Sequence, residues 1–251
     1  FANAGQNCAS IERVYVVKEQ AEEFITKASQ RSAQLNLGAK DKSLYDLGPF
    51  VREQELIQTE YQLKDAINKG AKVIHGGARV DNTLFFEPTV VRDVDASMLL
   101  MSEETFGPVL PIQVVSNAKE AIAEANNCRY GLTTSIWSQN LQAAEKLASE
   151  VDSGIVTINN HSFTAALPQA PWHGKRNSGS GVTNSRFALY DMVEPHYVLV
   201  DKAKASELWW FPHNQAMQTI VESLAKFFAG GPGNFNALLD VIKNFPKRWK
   251  S

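Results

Sequence analysis

A chain of 251 residues, 44% hydrophobic and 21% charged, has room for one large domain or one domain with a substantial extension. Fifteen glycines and ten prolines are too few for a collagen-like or low-complexity disordered chain. A formal net charge of -2 excludes a global field that would gather nucleic acid or an anionic membrane, so any partner surface must be local.

The elements follow in chain order. Arg13 to Val17 reads as a strand and 19–35 as an amphipathic helix, with a loop punctuated by Gly38, Gly48 and Pro49 after it. From Glu53 to Lys69, the residues Leu56, Ile57, Tyr61, Leu63, Ala66 and Ile67 recur at helical spacing and stop at Gly70. Strands are expected at 72–75, 84–91, 109–115, 132–137 and 154–159, with helices at 118–127 and 141–150. Strands alternating with helices indicate an α/β fold with a mostly parallel twisted sheet covered by helices on both faces. A further strand is read at Met192 to Val200. The segments 214–228 and 235–245 are amphipathic and are separated by Gly230-Gly231-Pro232-Gly233. Three regions follow from this: 1–185 as a catalytic domain, 186–200 as a terminal strand and 201–251 as a helical extension.

Two cysteines, Cys8 and Cys128, exclude a disulfide scaffold and a four-cysteine zinc site, and suit a reducing compartment such as the cytoplasm. No run reaches the 18 or so apolar residues of a membrane span, and no basic stretch leads into an apolar one at the start. His75, His161, His173, His196 and His213 show no ligand spacing, so no metal site is expected.

Cys8 lies in FANAGQNCASIERVYV, where small residues leave space for a substrate carbonyl to approach a thiol. A buried structural cysteine is the ordinary fate of a lone Cys. The surrounding residues point elsewhere. Phe1, Asn3, Gly5, Gln6, Cys8 and Arg13 reproduce F-x-N-x-G-Q-x-C-x-x-x-x-R, and the segment resembles the signature of the aldehyde dehydrogenase superfamily. Further segments are similar to that family's motifs and stand in its order: Glu103 to Val109; Asn126-Asn127 with Tyr130-Gly131-Leu132; Gly154 through Asn159; and Pro171-Trp172 with Gly174, Ser178, Gly179 and Gly181. His173 and Arg176 depart from the family's usual glycine and lysine.

The resemblance implies an NAD- or NADP-dependent oxidation of an aldehyde to a carboxylic acid. A bare aldehyde is a poor hydride donor. The Cys8 thiolate would attack the carbonyl carbon to give a thiohemiacetal, whose oxyanion expels the hydride and leaves a thioester for water to hydrolyse. The Cys8 amide would form half of an oxyanion hole. Glu104 would accept the ribose hydroxyls of the nicotinamide half, Phe106 would pack beside that end, and Asn159 would lie near the reacting cysteine. The family's nicotinamide-binding domain, oxyanion amide side chain and general-base glutamate precede the cysteine segment. A chain opening at Phe1 is therefore expected to be a C-terminal portion, inactive alone. An acylating relative that passes the thioester to coenzyme A and a non-catalytic oligomerisation fragment are the alternatives.

The resemblance also implies a homo-oligomer, dimer or tetramer, with Met192 to Val200 in an intersubunit sheet. Packing against the body or a partner subunit is the expected role of the 201–251 helices. The basic stretch Lys243 to Lys250, with Trp249, makes weak attachment to a membrane surface the minor alternative.

Overall fold

A computed structural model describes residues 1–38, 45–161, 163–202, 204, 206–231 and 233–249, in two compact units, Phe1–Glu194 and Pro195–Ser251. In the first unit the chain passes through β1 (Val14–Val17), α1 (Lys18–Ala33), α2 (Glu53–Asn68), β2 (Lys72–His75), β3 (Thr89–Arg92), α3 (Leu99–Ser102) and β4 (Val109–Val115). It continues through α4 (Ala118–Asn126), β5 (Tyr130–Gly131), β6 (Thr133–Ile136), α5 (Leu141–Ala148) and β7 (Ile155–Ile158). Three two-residue strands, β8 (Trp172–His173), β9 (Lys175–Arg176) and β10 (Val182–Thr183), precede α6 (Ser185–Tyr190).

The main sheet has the order β1-β4-β3-β2. β4 is parallel to both β1 and β3, and β2 joins antiparallel at the end. Alternation along the strands decides which helix covers which face. Val14, Val16, Val90, Leu110 and Ile112 pack with Ala21 and Ile25 of α1. The intervening positions Tyr15, Val73, Val91 and Val109 meet Leu56, Leu63 and Ala66 of α2, together with Leu100 and Met101 of α3. Helices on both faces explain why Thr89, Val90 and Val91 are all buried. Complete burial of such a Val or Leu side chain contributes about 1.5–3 kcal/mol. Beyond the main sheet, β6 pairs parallel with β7, β5 antiparallel with β9, and β8 antiparallel with β10.

Helix starts are capped as their sequences allow. Asn117 accepts from the Glu120 amide at 3.1 Å while Glu120 reaches back to the Ser116 amide at 2.7 Å. Asn140 caps α5 through the Ala143 amide at 3.0 Å.

Two expectations are corrected, and one short element, α3, is added. The strand read at 84–91 begins at Thr89. Pro88 has no N–H for a ladder, and the preceding residues turn back instead, with the Glu87 amide donating to Ala78 and Val80 donating to Phe85. On α2 the buried stripe is Leu56, Thr59, Gln62, Leu63 and Ala66, while Ile57, Tyr61 and Ile67 are exposed. The core admits Gln62 because its amide is satisfied at the site described below. The single turn α3 carries too little periodicity to be read in advance. Met192 to Val200, expected to pair in an intersubunit sheet, is unpaired among the described residues, and Met192, Tyr197 and Leu199 are exposed.

The second unit is an αα-hairpin of α7 (Gln215–Ala229) and α8 (Asn234–Asn244), closed by a 3-10 turn at Phe245–Trp249. Met217, Ile220 and Ala237 are buried, whereas Val221 and Phe228 are exposed. Arg248 is buried. Its Nε donates to the Leu208 carbonyl at 2.8 Å and its Nη2 to that of Trp210, while Asn214 Nδ2 donates to the Arg248 carbonyl at 3.2 Å. Pro232 of the glycine-rich break and Lys250 of the basic end lie outside the described residues.

Candidate active site

The loop bearing Cys8 is shaped by a run of left-handed backbone. Asn3 and Ala4 have φ of 53° and Gly5 of 77°. Gln6 anchors the loop to the segment before α2, donating to the Pro49 carbonyl at 3.1 Å and accepting from the Val51 amide at 2.9 Å. Asn7 closes a tight turn around Cys8: its side-chain oxygen accepts from the Ala9 amide and its carbonyl from the Ser10 amide, each at 2.8 Å. The thiol therefore stands at the exposed tip of a turn held from both sides.

Gly5 brings this loop against the second motif. A Cβ at Gly5 would overlap the carbonyl of Gly107, so two backbones touch there with no space for a side chain. Around Gly107 the segment is fastened in several ways. Gln62 of α2 donates to the Glu104 carbonyl at 3.0 Å and accepts from the Thr105 hydroxyl at 2.8 Å. The Thr89 amide donates to the Pro108 carbonyl at 2.8 Å, which starts β3 alongside β4. Glu12 accepts from the Thr105 amide at 2.8 Å and the Phe106 amide at 3.2 Å. Burial pushes the Glu12 carboxyl above its ordinary pKa, and the two amide bonds oppose that shift.

Glu104 itself is exposed, and among the described residues its carboxylate makes no hydrogen bond. A carboxylate on a fixed backbone, with both oxygens unengaged, fits acceptance of two neighbouring ribose hydroxyls. Phe106 is half-buried beside it with φ of 51°. These residues thus fit the nicotinamide half of a dinucleotide.

Asn159 lies at the end of β7 with φ of 53°, and its amide bonds at both ends to Ser138, accepting from its N–H and donating to its C=O, each at 2.8 Å. None of its side-chain bonds reaches the Cys8 loop. Two residues further on, burial lowers the pKa of the His161 ring. Asn159→Ala should lower stability by about 1 kcal/mol through loss of the Ser138 pair, measured as the urea unfolding midpoint. An unchanged midpoint would show that the pair contributes nothing.

The departures in the glycine-rich loop have structural roles. Arg176 donates to Asp152 at 2.5 Å and to the carbonyls of Asn126 and Tyr130 at 3.3 and 2.5 Å, while Lys175 meets the other Asp152 oxygen at 2.9 Å. Lys175 first and then Arg176 hold the Asp152 carboxyl below its ordinary pKa. The carbonyl of His173 fills the space where Gly154 would carry a Cβ.

Two contributors were not read from the sequence. Glu12 occupies an unspecified position of the motif, and no periodicity marks a carboxylate there. Gln62 did leave a trace, as a polar side chain on the stripe of Leu56, Thr59, Leu63 and Ala66.

The geometry agrees with comparisons to known proteins. Residues 1–198 match the model of the aldehyde dehydrogenase family. A probable succinate-semialdehyde dehydrogenase (NADP+) of Sinorhizobium fredii is 36% identical over 80% of this chain and 40% of its own length. A lactaldehyde dehydrogenase of Methanococcus maripaludis is 33% identical over 80% of this chain and 42% of its own. Among solved structures, betaine aldehyde dehydrogenase of Staphylococcus aureus, in complex with NAD+, superposes with a TM-score of 0.70 at 31% identity, covering 75% of this chain and 38% of that one. Lactaldehyde dehydrogenase of Escherichia coli gives 0.71 at 34%, covering 75% and 40%. The chain thus spans about two fifths of the length of these relatives. A match running from the cysteine loop past the glycine-rich loop, on a sheet of the same build, makes this chain a member of the aldehyde dehydrogenase family.

Proposed function

We propose that this chain supplies the nucleophile to an NAD(P)-dependent oxidation of a small aldehyde to its carboxylic acid. One observation carries the reading: the exposed Cys8 turn is packed, through Gly5 and Gly107, against the segment that presents the exposed Glu104 carboxylate. Nucleophile and cofactor contact therefore belong to one rigid assembly. The names of the relatives, semialdehyde and lactaldehyde dehydrogenases, support a short-chain aldehyde. Their NADP+ and NAD+ support a nicotinamide dinucleotide.

In this reading the Cys8 sulfur, as thiolate, bonds to the carbonyl carbon and the π pair moves to oxygen. The Cys8 amide donates to that oxyanion from its place in the Asn7 turn. The hydride leaves that carbon as the C=O re-forms, and a nicotinamide held beside Glu104 and Phe106 would supply the acceptor. Cys8 then holds the acyl group as a thioester until water attacks, the C–S bond breaks, and the thiolate returns as the acid leaves. Glu104 orients the ribose and so sets the distance over which hydride moves.

The activity is that of the whole enzyme containing this chain, and the chain alone is not expected to turn over. In that enzyme Glu104→Gln keeps size and removes charge. It should slow single-turnover hydride transfer roughly 10- to 100-fold, as expected for loss of hydrogen bonds to a charged group, with aldehyde affinity unaltered. A hydride-transfer rate equal to wild type would remove Glu104 from the ribose.

A further inference from the structure

Residues 12 and 13 straddle Glu104. On its N-terminal side Arg13 donates from Nε to the Met101 carbonyl at 2.7 Å and from Nη2 to the Glu103 carbonyl at 3.2 Å. On its C-terminal side Glu12 accepts the Thr105 and Phe106 amides, one on each carboxylate oxygen. Between them, the carbonyl of Glu104 accepts from Gln62. The backbone is held before, at and after Glu104, while its side chain stays exposed.

We propose that Glu12 is a positioning residue, whose carboxylate aims Glu104 at the cofactor by fixing the two amides that follow it. This rests on the cofactor role of Glu104 proposed above. The chemistry of the pair explains why a carboxylate stands here. Two successive amides present two donors in nearly the same direction, and a carboxylate has two acceptors at matching separation. A glutamine would meet one amide with its oxygen and turn its NH2 on the other. The charge is costly to keep there: burial disfavours it and the nearby Glu104 carboxylate adds to the penalty, against the favourable field of Arg13 and the amides. The neutral turn residues common elsewhere in proteins could close a loop without that cost. Phe106 adds a second reason, since its φ of 51° is a strained conformation for a residue with a side chain and persists only where its surroundings enforce it. The Glu12 bond to the Phe106 amide is such an enforcement.

Amide hydrogen exchange on the 251-residue chain reads this clamp without any catalysis. In Glu12→Gln the Thr105 and Phe106 amides should exchange at least about tenfold faster, as loss of a bond to a charged acceptor implies, while the amides of β4 bonded to β1 and β3 keep their protection. Unchanged exchange at 105 and 106 overturns the proposal. If β4 also loosens, Glu12→Asp, one methylene shorter and still charged, decides: selective loosening at 105 and 106 supports the clamp, and uniform loosening overturns it. In the whole enzyme, Glu12→Gln should raise the KM for NAD(P) about tenfold, the kinetic counterpart of the same lost bond, with the KM for aldehyde unchanged. Equal rises in both would indicate a structural role alone and overturn the proposal. Should a Cys8→Ala enzyme still oxidise aldehydes, the proposed function fails, and the exchange measurement still reports on Glu12.

Discussion

Alanine at position 8 should end aldehyde oxidation in the whole enzyme, with a loss of at least about a thousandfold, the scale seen when a covalent nucleophile is removed. Folding should be untouched. The thiol is exposed at the tip of its turn, and the bonds that shape the turn come from Asn7, whose partners are the Ala9 and Ser10 amides. Removal of such a surface atom changes stability by no more than about 0.5 kcal/mol. Iodoacetamide distinguishes the two cysteines in the unmodified chain. Cys128 is half-buried and its sulfur accepts from the Tyr130 amide at 3.4 Å, so Cys8 should be carboxamidomethylated first. Equal labelling, together with retained oxidation by the Cys8→Ala enzyme, would leave the proposed function without its nucleophile.

Gly5→Ala should be the most disruptive single methyl in the nucleophile loop. Two costs coincide. The left-handed φ of 77° costs a residue with a Cβ roughly 1–2 kcal/mol. The new methyl would also overlap the Gly107 carbonyl, and relief by backbone movement adds about 1–3 kcal/mol. A total near 3 kcal/mol should appear as a lower urea midpoint. Gly70→Ala provides the control, because its φ is 106° but a Cβ there would meet nothing within 4 Å; only the conformational cost of roughly 1–2 kcal/mol applies. If the two alanine variants unfold at the same midpoint, the contact between the loops carries no energy. Cys8 reactivity and Glu104 placement would then be independent.

The parts of this architecture that sequence makes legible are those encoded over short distances. The helices α1, α2, α4, α5, α7 and α8 follow from periodicity and lie within a residue or two of their expected bounds. Cys8 stands out because six specified residues within thirteen positions, Phe1, Asn3, Gly5, Gln6, Cys8 and Arg13, carry its signature. What escaped depends on distant partners. Glu12 finds its amides more than ninety residues away and Gln62 meets Thr105 across more than forty, separations over which no local pattern operates. Met192 to Val200 pairs with none of the described residues. Pairing requires a neighbour. Phe85 to Glu87 pair antiparallel with Ala78 to Val80, more locally than β3 would require, and Phe86 reaches the core there.

The buried guanidinium of Arg248 has a consequence for how the second unit comes together. It ties the end of that unit to Leu208 and Trp210, some forty residues earlier, and so closes a ring around the helical hairpin. Rings of this size close late, because the chain must first surrender the freedom of everything enclosed. As the polypeptide leaves the ribosome, α7 and α8 can fold back on each other while Leu208 and Trp210 still have no counterpart. Leu208 and Trp210 are therefore late to settle, and a protease acting on the nascent chain would find its opening there until Arg248 has emerged.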